Sequence, residues 1–435
     1  MAFNIVVTHG YSDSNKGDLA ITQATIDGLK NNFPEASITL LSTFREADPA
    51  FWFHNRKMKN NNIKIIEGIL PTPYIGEESS LILNVIASLR LLKDIVQLRL
   101  SLTSNFLGKI FGGKQYLAFM AMKNADLIVV KGGQFIYNDK EDLRGNLFLW
   151  RTLQPIKVAY KLKKEIIILG QSIGGFASVK SEKIAMTYLS LTNQVVVREQ
   201  LSYNLLKKYK LKNVLLKPDM AFNIDKKEIS FDNSIDSIEE EILGITVVNW
   251  SFPESKNAEL TKNVYIENLI YTIQKAYNEL KLVPVFIPQV TVKHHGKSDL
   301  DLINVITDKL ESKGIAYSVI NKDYSASELV SIYSKCKMLI GTRLHSCILA
   351  AVAGTPVIAI RYQGFKTQGV MTMLGLGDLV HDINHLNGDD LYNDILKVNK
   401  NHIDFKTSIE NKVALLRNDI DLMIKGIKSK RSKTY

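Results

Sequence analysis

Cysteine is nearly absent: 435 residues carry only Cys336 and Cys347. The two stand eleven apart with no ligand-spaced His or Cys beside them, so neither a disulfide framework nor a metal centre is expected, and a reducing compartment suits them. No run reaches the roughly 18 uncharged apolar residues of a transmembrane helix. The first residues, Met1-Ala2-Phe3-Asn4-Ile5-Val6-Val7, enter a strand without a basic n-region or apolar h-region, so no signal peptide is read. Also missing are a P-loop, a dinucleotide fingerprint and any nucleic-acid-binding motif, which argues against nicotinamide or flavin chemistry and against an RNA or DNA partner.

What is present is globular: 46% hydrophobic and 23% charged residues, enough chain for two domains. Of the net charge of +11, Lys425, Lys428, Lys430, Arg431 and Lys433 supply five charges in a C-terminal tail. The remainder suits an anionic small substrate or a membrane surface.

Short apolar runs punctuate the first half: Ile5–Thr8, Ile38–Leu41, Leu127–Val130, Ile166–Leu169 and Gln194–Val197, with a helix from Asp18 to Lys30 after the first. Runs without polar alternation, separated by helical stretches, predict a parallel sheet covered on both faces. From Asp225 to Glu241 the chain turns charged and aperiodic, as a linker would. The pattern then restarts with Ile242–Val247, Val283–Ile287, Ala316–Ile320, Met338–Ile340 and Pro356–Ile360. The fold class is therefore α/β, with two Rossmann-like domains facing across a cleft, the GT-B-like architecture. The domains read as residues 1–225 on the acceptor side, a linker at 226–241, a second domain at 242–400, and a closing helix with basic tail at 401–435. The closing helix is expected to pack back on the first domain.

Residues 81–123 depart from this rhythm, with six basic residues against Asp94 alone. Arg90, Lys93, Asp94, Gln97 and Ser101 share one helical face, while Leu89, Leu92, Ile95, Val96 and Leu100 occupy the rest. The favoured reading is a domain-surface helix lining the cleft; the other is a helix lying on an anionic membrane.

The richest motif is Ile340-Gly341-Thr342-Arg343-Leu344-His345-Ser346, followed by a small-residue helix, Thr355-Pro356 and another strand. This layout puts Arg343 and His345 at the carboxyl edge of a parallel sheet beside a helix N-terminus, where α/β proteins hold anions. An Arg fork beside a His that can move a proton points to chemistry as well as binding. Asn15-Lys16-Gly17-Asp18 opens the first helix, with Gly17 for a tight turn and Asp18 as the expected cap. Lys131-Gly132-Gly133-Gln134 and Gly170-Gln171-Ser172-Ile173-Gly174-Gly175 each follow a strand as glycine loops that a ligand can approach closely. Arg198 ends another strand; it is either a second guanidinium for a di-anionic ligand or half of a surface pair with Glu199. Asp219 is expected to cap or brace the cleft, and His294-His295 to line it or face solvent.

Together these motifs resemble the polysaccharide pyruvyl transferase family: Asn15-Lys16-Gly17-Asp18, Lys131-Gly132-Gly133, Gln171-Ser172-Ile173-Gly174, Val197-Arg198-Glu199, Pro218-Asp219, Gly341 to Ser346, Gly354-Thr355-Pro356, Tyr362 and Lys366. The match runs in order over about residues 4 to 380. It departs at Gln134, where a further Gly is expected, and at Gly175, where Pro is. The resemblance implies transfer of pyruvate from phosphoenolpyruvate to a sugar of a cell-surface polysaccharide or its precursor, forming a ketal and releasing phosphate. It implies catalytic roles for His345, Arg343 and Arg198. Substrate contacts are implied from Asn15, Gly17, Asp18, Gly132, Gly133, Gln171, Ser172, Thr342, Leu344, Ser346 and Lys366. No cofactor or metal is implied beyond phosphoenolpyruvate as co-substrate. The partners are then phosphoenolpyruvate and a sugar acceptor, which a lipid could carry, in the cytoplasm or peripherally at the inner membrane face. The alternatives are a GT-B glycosyltransferase using a nucleotide sugar, disfavoured by the basic Arg343/His345 stretch, and a non-catalytic polysaccharide-assembly protein.

Overall fold

A computed structural model describes residues 3–48, 50–60, 63–73, 81–228, 238–291, 298–364 and 366–432. His294 and His295 lie outside the described residues, as does 229–237 of the expected linker. The chain forms two compact units. The first comprises 1–13, 21–220 and 419–435, and the second 14–20 and 221–418. The closing helix, His402–Ser432, changes unit at Asp419, which accepts from Lys217 Nζ at 2.5 Å within the first unit.

Among the described residues the first unit holds strands β1 (Asn4–Gly10), β2 (Ser37–Ser42), β3 (Lys64–Glu67), β4 (Leu127–Val130), β5 (Gly133–Asn138), β6 (Glu165–Phe176), β7 (Gln194–Val197) and β8 (Val214–Leu216). Their order is β3-β2-β1-β4-β6-β7-β8, with β5 added along β6. The second unit holds β9 (Ile242–Thr246), β10 (Val283–Phe286), β11 (Ser318–Val319), β12 (Cys336–Gly341), β13 (Val357–Arg361) and β14 (Val380–Asp382), ordered β11-β10-β9-β12-β13-β14. Neighbours pair in parallel throughout, so each connection must cross over the sheet. The central runs are apolar because both faces are covered: Ile128, Val129, Val130, Ile166, Ile168, Leu339, Ile340 and Ile358 are all buried.

Chain order reverses between β1 and β4 in one sheet and between β9 and β12 in the other. Those switch points open a crevice at the strands' carboxyl ends, where open α/β sheets bind ligands. The second falls at Thr246 and Gly341, immediately before Arg343.

Two sequence expectations change. Strands β3, β5, β8 and β14 are additional to those expected: each carries glycine, polar or charged residues within it or beside it, so its apolar signal is weak. The Gly170–Gly175 stretch is not a loop but the outer half of β6. Gly170 takes φ +62° and shifts the register, after which β6 accepts β5 along its edge. Gly132 is small for packing: a Cβ there would stand 2.7 Å from the carbonyl oxygens of both Leu169 and Gly170.

His9 closes β1 with φ +66° and stacks on Phe135 at 4.4 Å. Its Nε2 donates to the Thr152 carbonyl at 2.9 Å, and Nδ1 lies 2.8 Å from Thr8 Oγ1. Burial, with Lys131 and Arg151 nearby, pushes its pKa down from 6.5 to about 3 despite the Thr152 bond. A folded pKa below the unfolded one means that His9 supports the fold above about pH 6.5 and withdraws that support as pH falls toward 3. We expect the melting temperature of His9→Asn, an exchange the positive φ tolerates, to fall less steeply than wild type across that window. Parallel acid slopes in thermal melts would remove His9 from the acid response.

Candidate functional site

The site in the second unit starts from β12. Thr342 leaves the strand with its N–H donating to Thr246 Oγ1 at 3.1 Å and its own hydroxyl donating to the Thr246 carbonyl at 2.7 Å. Ser346 Oγ donates to the Arg343 carbonyl at 2.6 Å and lies 2.8 Å from Thr246 Oγ1. With Leu344 buried, these three residues build the turn from β12 into the helix Leu344–Val352. The turn stands at the sheet's switch point and puts Arg343 and His345 at the helix's positive end.

Arg343 is held from one side. Its Nη2 donates to Asp299 Oδ1 at 2.6 Å, and Asp299 also accepts from the N–H groups of Gln289 and Val290 at 3.1 and 2.9 Å. Burial raises the Asp299 carboxyl, with Arg343 and those N–H groups pulling it back. Burial likewise opposes the guanidinium charge, but Asp299 and Tyr362 more than offset it and hold the Arg343 pKa above its ordinary value. The Arg343 Nε–H is buried and has no hydrogen-bond partner among the described residues. A buried unpaired donor on a charged group is costly unless something arrives to accept from it.

Tyr362 lies between two cations: the Arg343 guanidinium at 5.8 Å and the Lys366 ammonium at 6.0 Å from its ring centroid. Trp250 meets the same ring edge-on at 5.0 Å. Two cations against one aromatic ring form a positive corner suited to an anion.

The helix start at 14–20 belongs to this same unit. Asn15 bridges to Val290, and Lys16 N–H donates to the Gln289 carbonyl at 3.0 Å. Lys16 Nζ is buried in a pair with Asp323 and donates to the Tyr324 carbonyl at 2.9 Å. Asn15 Oδ1 accepts from Gly17 N and Asp18 N at 3.1 and 3.3 Å, so Asn15 is the cap and the helix begins at Lys16. Asp18, expected as the cap, sits in the first turn because the shorter reach from Asn15 satisfies those N–H groups first. Gly17 faces His345: a Cβ there would come within 2.8 Å of the imidazole Cγ. A glycine at 17 is therefore a condition for the observed place of His345.

The remaining expected residues lie in the first unit. Arg198 is buried, its Nη1 donating to Asp219 Oδ2 at 2.5 Å and its Nε to Ser172 Oγ at 2.8 Å. Its partner is Asp219, whereas Glu199 accepts from Ser172 and Ser202. Gln171 is buried and donates to the Lys131 carbonyl at 3.3 Å, beside Gly132 and Gly133 at the first switch point. Arg343, His345, Gly17, Asn15 and Lys366 are thus together in one unit, and Arg198, Gln171, Ser172, Gly132 and Gly133 in the other.

Sequence reasoning passed over Asp299, Gln289, Lys16 and Asp323. Asp299 carried one usable signal, since Ser298-Asp299 opens a helix, but nothing local ties that helix start to Arg343. Both thiols are free and buried, and burial pushes each up to about 12. Among the described residues no cluster of three His, Cys, Asp or Glu could hold a metal.

The family model described as Polysaccharide pyruvyl transferase matches residues 15–364. The amylovoran biosynthesis protein AmsJ of Erwinia amylovora is 26% identical over 423 residues, 94% of each chain. Among solved structures, Glycyrrhiza uralensis UGT73P12 complexed with glycyrrhetinic acid 3-O-monoglucuronide superposes with TM-score 0.58 at 9% identity, over 100% of this chain and 97% of that one. Anabaena Alr3699/HepE in complex with UDP gives TM-score 0.54 at 10% identity, with 100% of both chains covered. At such identities the likeness is one of fold, GT-B-like with two Rossmann-like domains.

Proposed function

Because this chain belongs to the polysaccharide pyruvyl transferase family and so acts in polysaccharide biosynthesis, we propose that it transfers pyruvate from phosphoenolpyruvate to a sugar hydroxyl pair. The observation that carries this reading is the buried Nε–H of Arg343 at the second switch point, without a partner among the described residues, with His345 two residues on. Phosphoenolpyruvate brings a carboxylate and a phosphate. Arg343 offers a guanidinium oriented by Asp299, Lys366 a second cation across Tyr362, and the helix start its backbone N–H groups.

The chemistry asks for one proton early. Protonation of the methylene carbon leaves positive charge at C2, which one sugar hydroxyl attacks, losing its proton. Departure of phosphate breaks the C2–O bond, and the second hydroxyl closes the ketal, its proton leaving on the phosphate while the first hydroxyl's proton balances the one added to carbon. His345 is assigned as the acid that delivers the proton or steadies the leaving phosphate. Arg198, buried against Asp219, is assigned to bracing the carboxyl end of β7 in place of direct donor contact.

Isothermal titration tests the donor, with phosphoenolpyruvate, UDP and a UDP-sugar run in parallel. Phosphoenolpyruvate should bind, and Arg343→Ala should abolish binding. Arg343→Lys should weaken it at least about tenfold, the scale of one charge-assisted hydrogen bond, because an ammonium cannot act as a fork. Binding of the UDP-sugar with none of phosphoenolpyruvate would make the protein a glycosyltransferase.

A further inference from the structure

The helix Leu81–Thr103 buries a mixed face of Ala87, Asp94, Leu98 and Ser101. Asp94 is buried and pairs with Arg45, whose Nη1 stands 3.2 Å from Asp94 Oδ1. Gln115 Nε2 donates to Glu67 Oε1 at 3.2 Å and to Asp94 Oδ1 at 3.4 Å. A hydrogen-bonded polar cluster thus sits within that face beside Ala87 and Leu98. The apolar stripe faces out: Leu81, Ile82, Val85, Leu89, Leu92 and Val96 are all exposed, Leu89 by 62% and Leu92 by 58%. Phe106, Ile110 and Phe111 on the next helix, Asn105–Phe111, and Leu117 on the one after, are also exposed. Contiguous exposure on this scale marks an interaction surface.

Its charge says what kind. Arg90 and Lys114 are drawn into pairs with Asp48 and Glu46, but Lys93, Arg99 and Lys109 are exposed beside the stripe. Next to it runs a cavity of about 240 Å³ whose apolar wall includes Leu98 and Leu102 and whose cations are Arg99, Lys157 and Lys161. A second copy of this chain would bring cations against cations across a two-fold contact, whereas an anionic lipid surface supplies both complements. Among the described residues no helix is long and apolar enough to cross a membrane.

We propose that the face formed by residues 81–117 of the first unit docks on an anionic bilayer, with the apolar stripe entering the headgroup boundary. Lys93, Arg99 and Lys109, with the Arg99–Lys157–Lys161 groove, take up lipid phosphates. Such in-plane binding scales with buried apolar area plus attraction to anionic lipid. It is independent of the donor chemistry, so either assignment can fail alone.

Vesicle co-sedimentation of the full chain is the test, using phosphatidylcholine alone and phosphatidylcholine with one third phosphatidylglycerol. Wild type should bind the anionic vesicles, less so at high salt, and ignore the neutral ones. Leu89→Asp with Leu92→Asp, and separately Lys93→Glu with Arg99→Glu, should each lower that binding at least about tenfold. Because these side chains are exposed, circular dichroism and phosphoenolpyruvate titration should be unchanged. Absence of binding to anionic vesicles would overturn the proposal. So would a dimer in light scattering that Leu89→Asp dissolves, which would give the face to a second copy.

Discussion

Turnover in His345→Ala is expected to fall at least about 100-fold, the usual scale for loss of a positioned proton donor, with the fold retained. The imidazole projects from the second residue of the helix Leu344–Val352, and the turn beneath it is held by Thr342, Ser346 and Thr246, none of which depends on it. Gly17→Ala should cost a comparable factor without removing the imidazole. A methyl at 17 would meet the ring within van der Waals distance, and the ring, being the mobile partner, would be displaced from its place against residue 17. Misplacement on the scale of an ångström is enough to lose about 100-fold. Phosphate release from phosphoenolpyruvate in the presence of the acceptor glycan is the readout. Near wild-type release in His345→Ala would remove that residue from the chemistry. Loss in His345→Ala with full activity in Gly17→Ala would show that the ring need not rest on Gly17.

Asp219→Ala should destabilise the first unit by about 3–5 kcal/mol, the cost of leaving one partner of a buried ion pair uncompensated. Arg198 and Asp219 are both buried, and the 2.5 Å contact between them is supplemented on the arginine side by Ser172. With the carboxylate gone, the guanidinium keeps its desolvation cost and loses its main counter-charge. Urea melts of wild type and variant measure the difference, and phosphoenolpyruvate titration below the transition supplies the contrast. A lowered melt with donor affinity retained fits a bracing role for Arg198. An unchanged melt with donor affinity lost would return Arg198 to the donor site.

The parts legible in the chain share a physical cause. Leu127–Val130 and Gln194–Val197 appear as strands at their observed limits, because a strand covered on both faces must be apolar at every position and so announces itself locally. Arg343 and His345 could be placed at a strand edge for the same reason. The strand before them and the helix after them are short-range patterns, and parallel topology makes their junction a carboxyl-end crevice. The glycine stretch at 170–175 misled because glycine signals loops and register shifts alike, and the choice rests with β5, a strand more than thirty residues away.

By itself, then, the sequence determined two parallel α/β sheets, the residues at their carboxyl edges and, through ordered motifs, the family. Tertiary structure alone decided how those residues are armed. Asp299 orients Arg343 from 44 positions away, and Gly17 is brought to His345 across more than 300 residues of chain. The helix Leu81–Thr103 can bury Asp94 beside Ala87 and Leu98 because Arg45 and Gln115, distant in sequence, neutralise and bind it there. Hydrophobic periodicity is a property of neighbours along the chain and sets where strands and helices form. Charge compensation and steric contact depend on neighbours in space, and these admitted Asp94 to the buried face of that helix and set the Asp299 contact of Arg343.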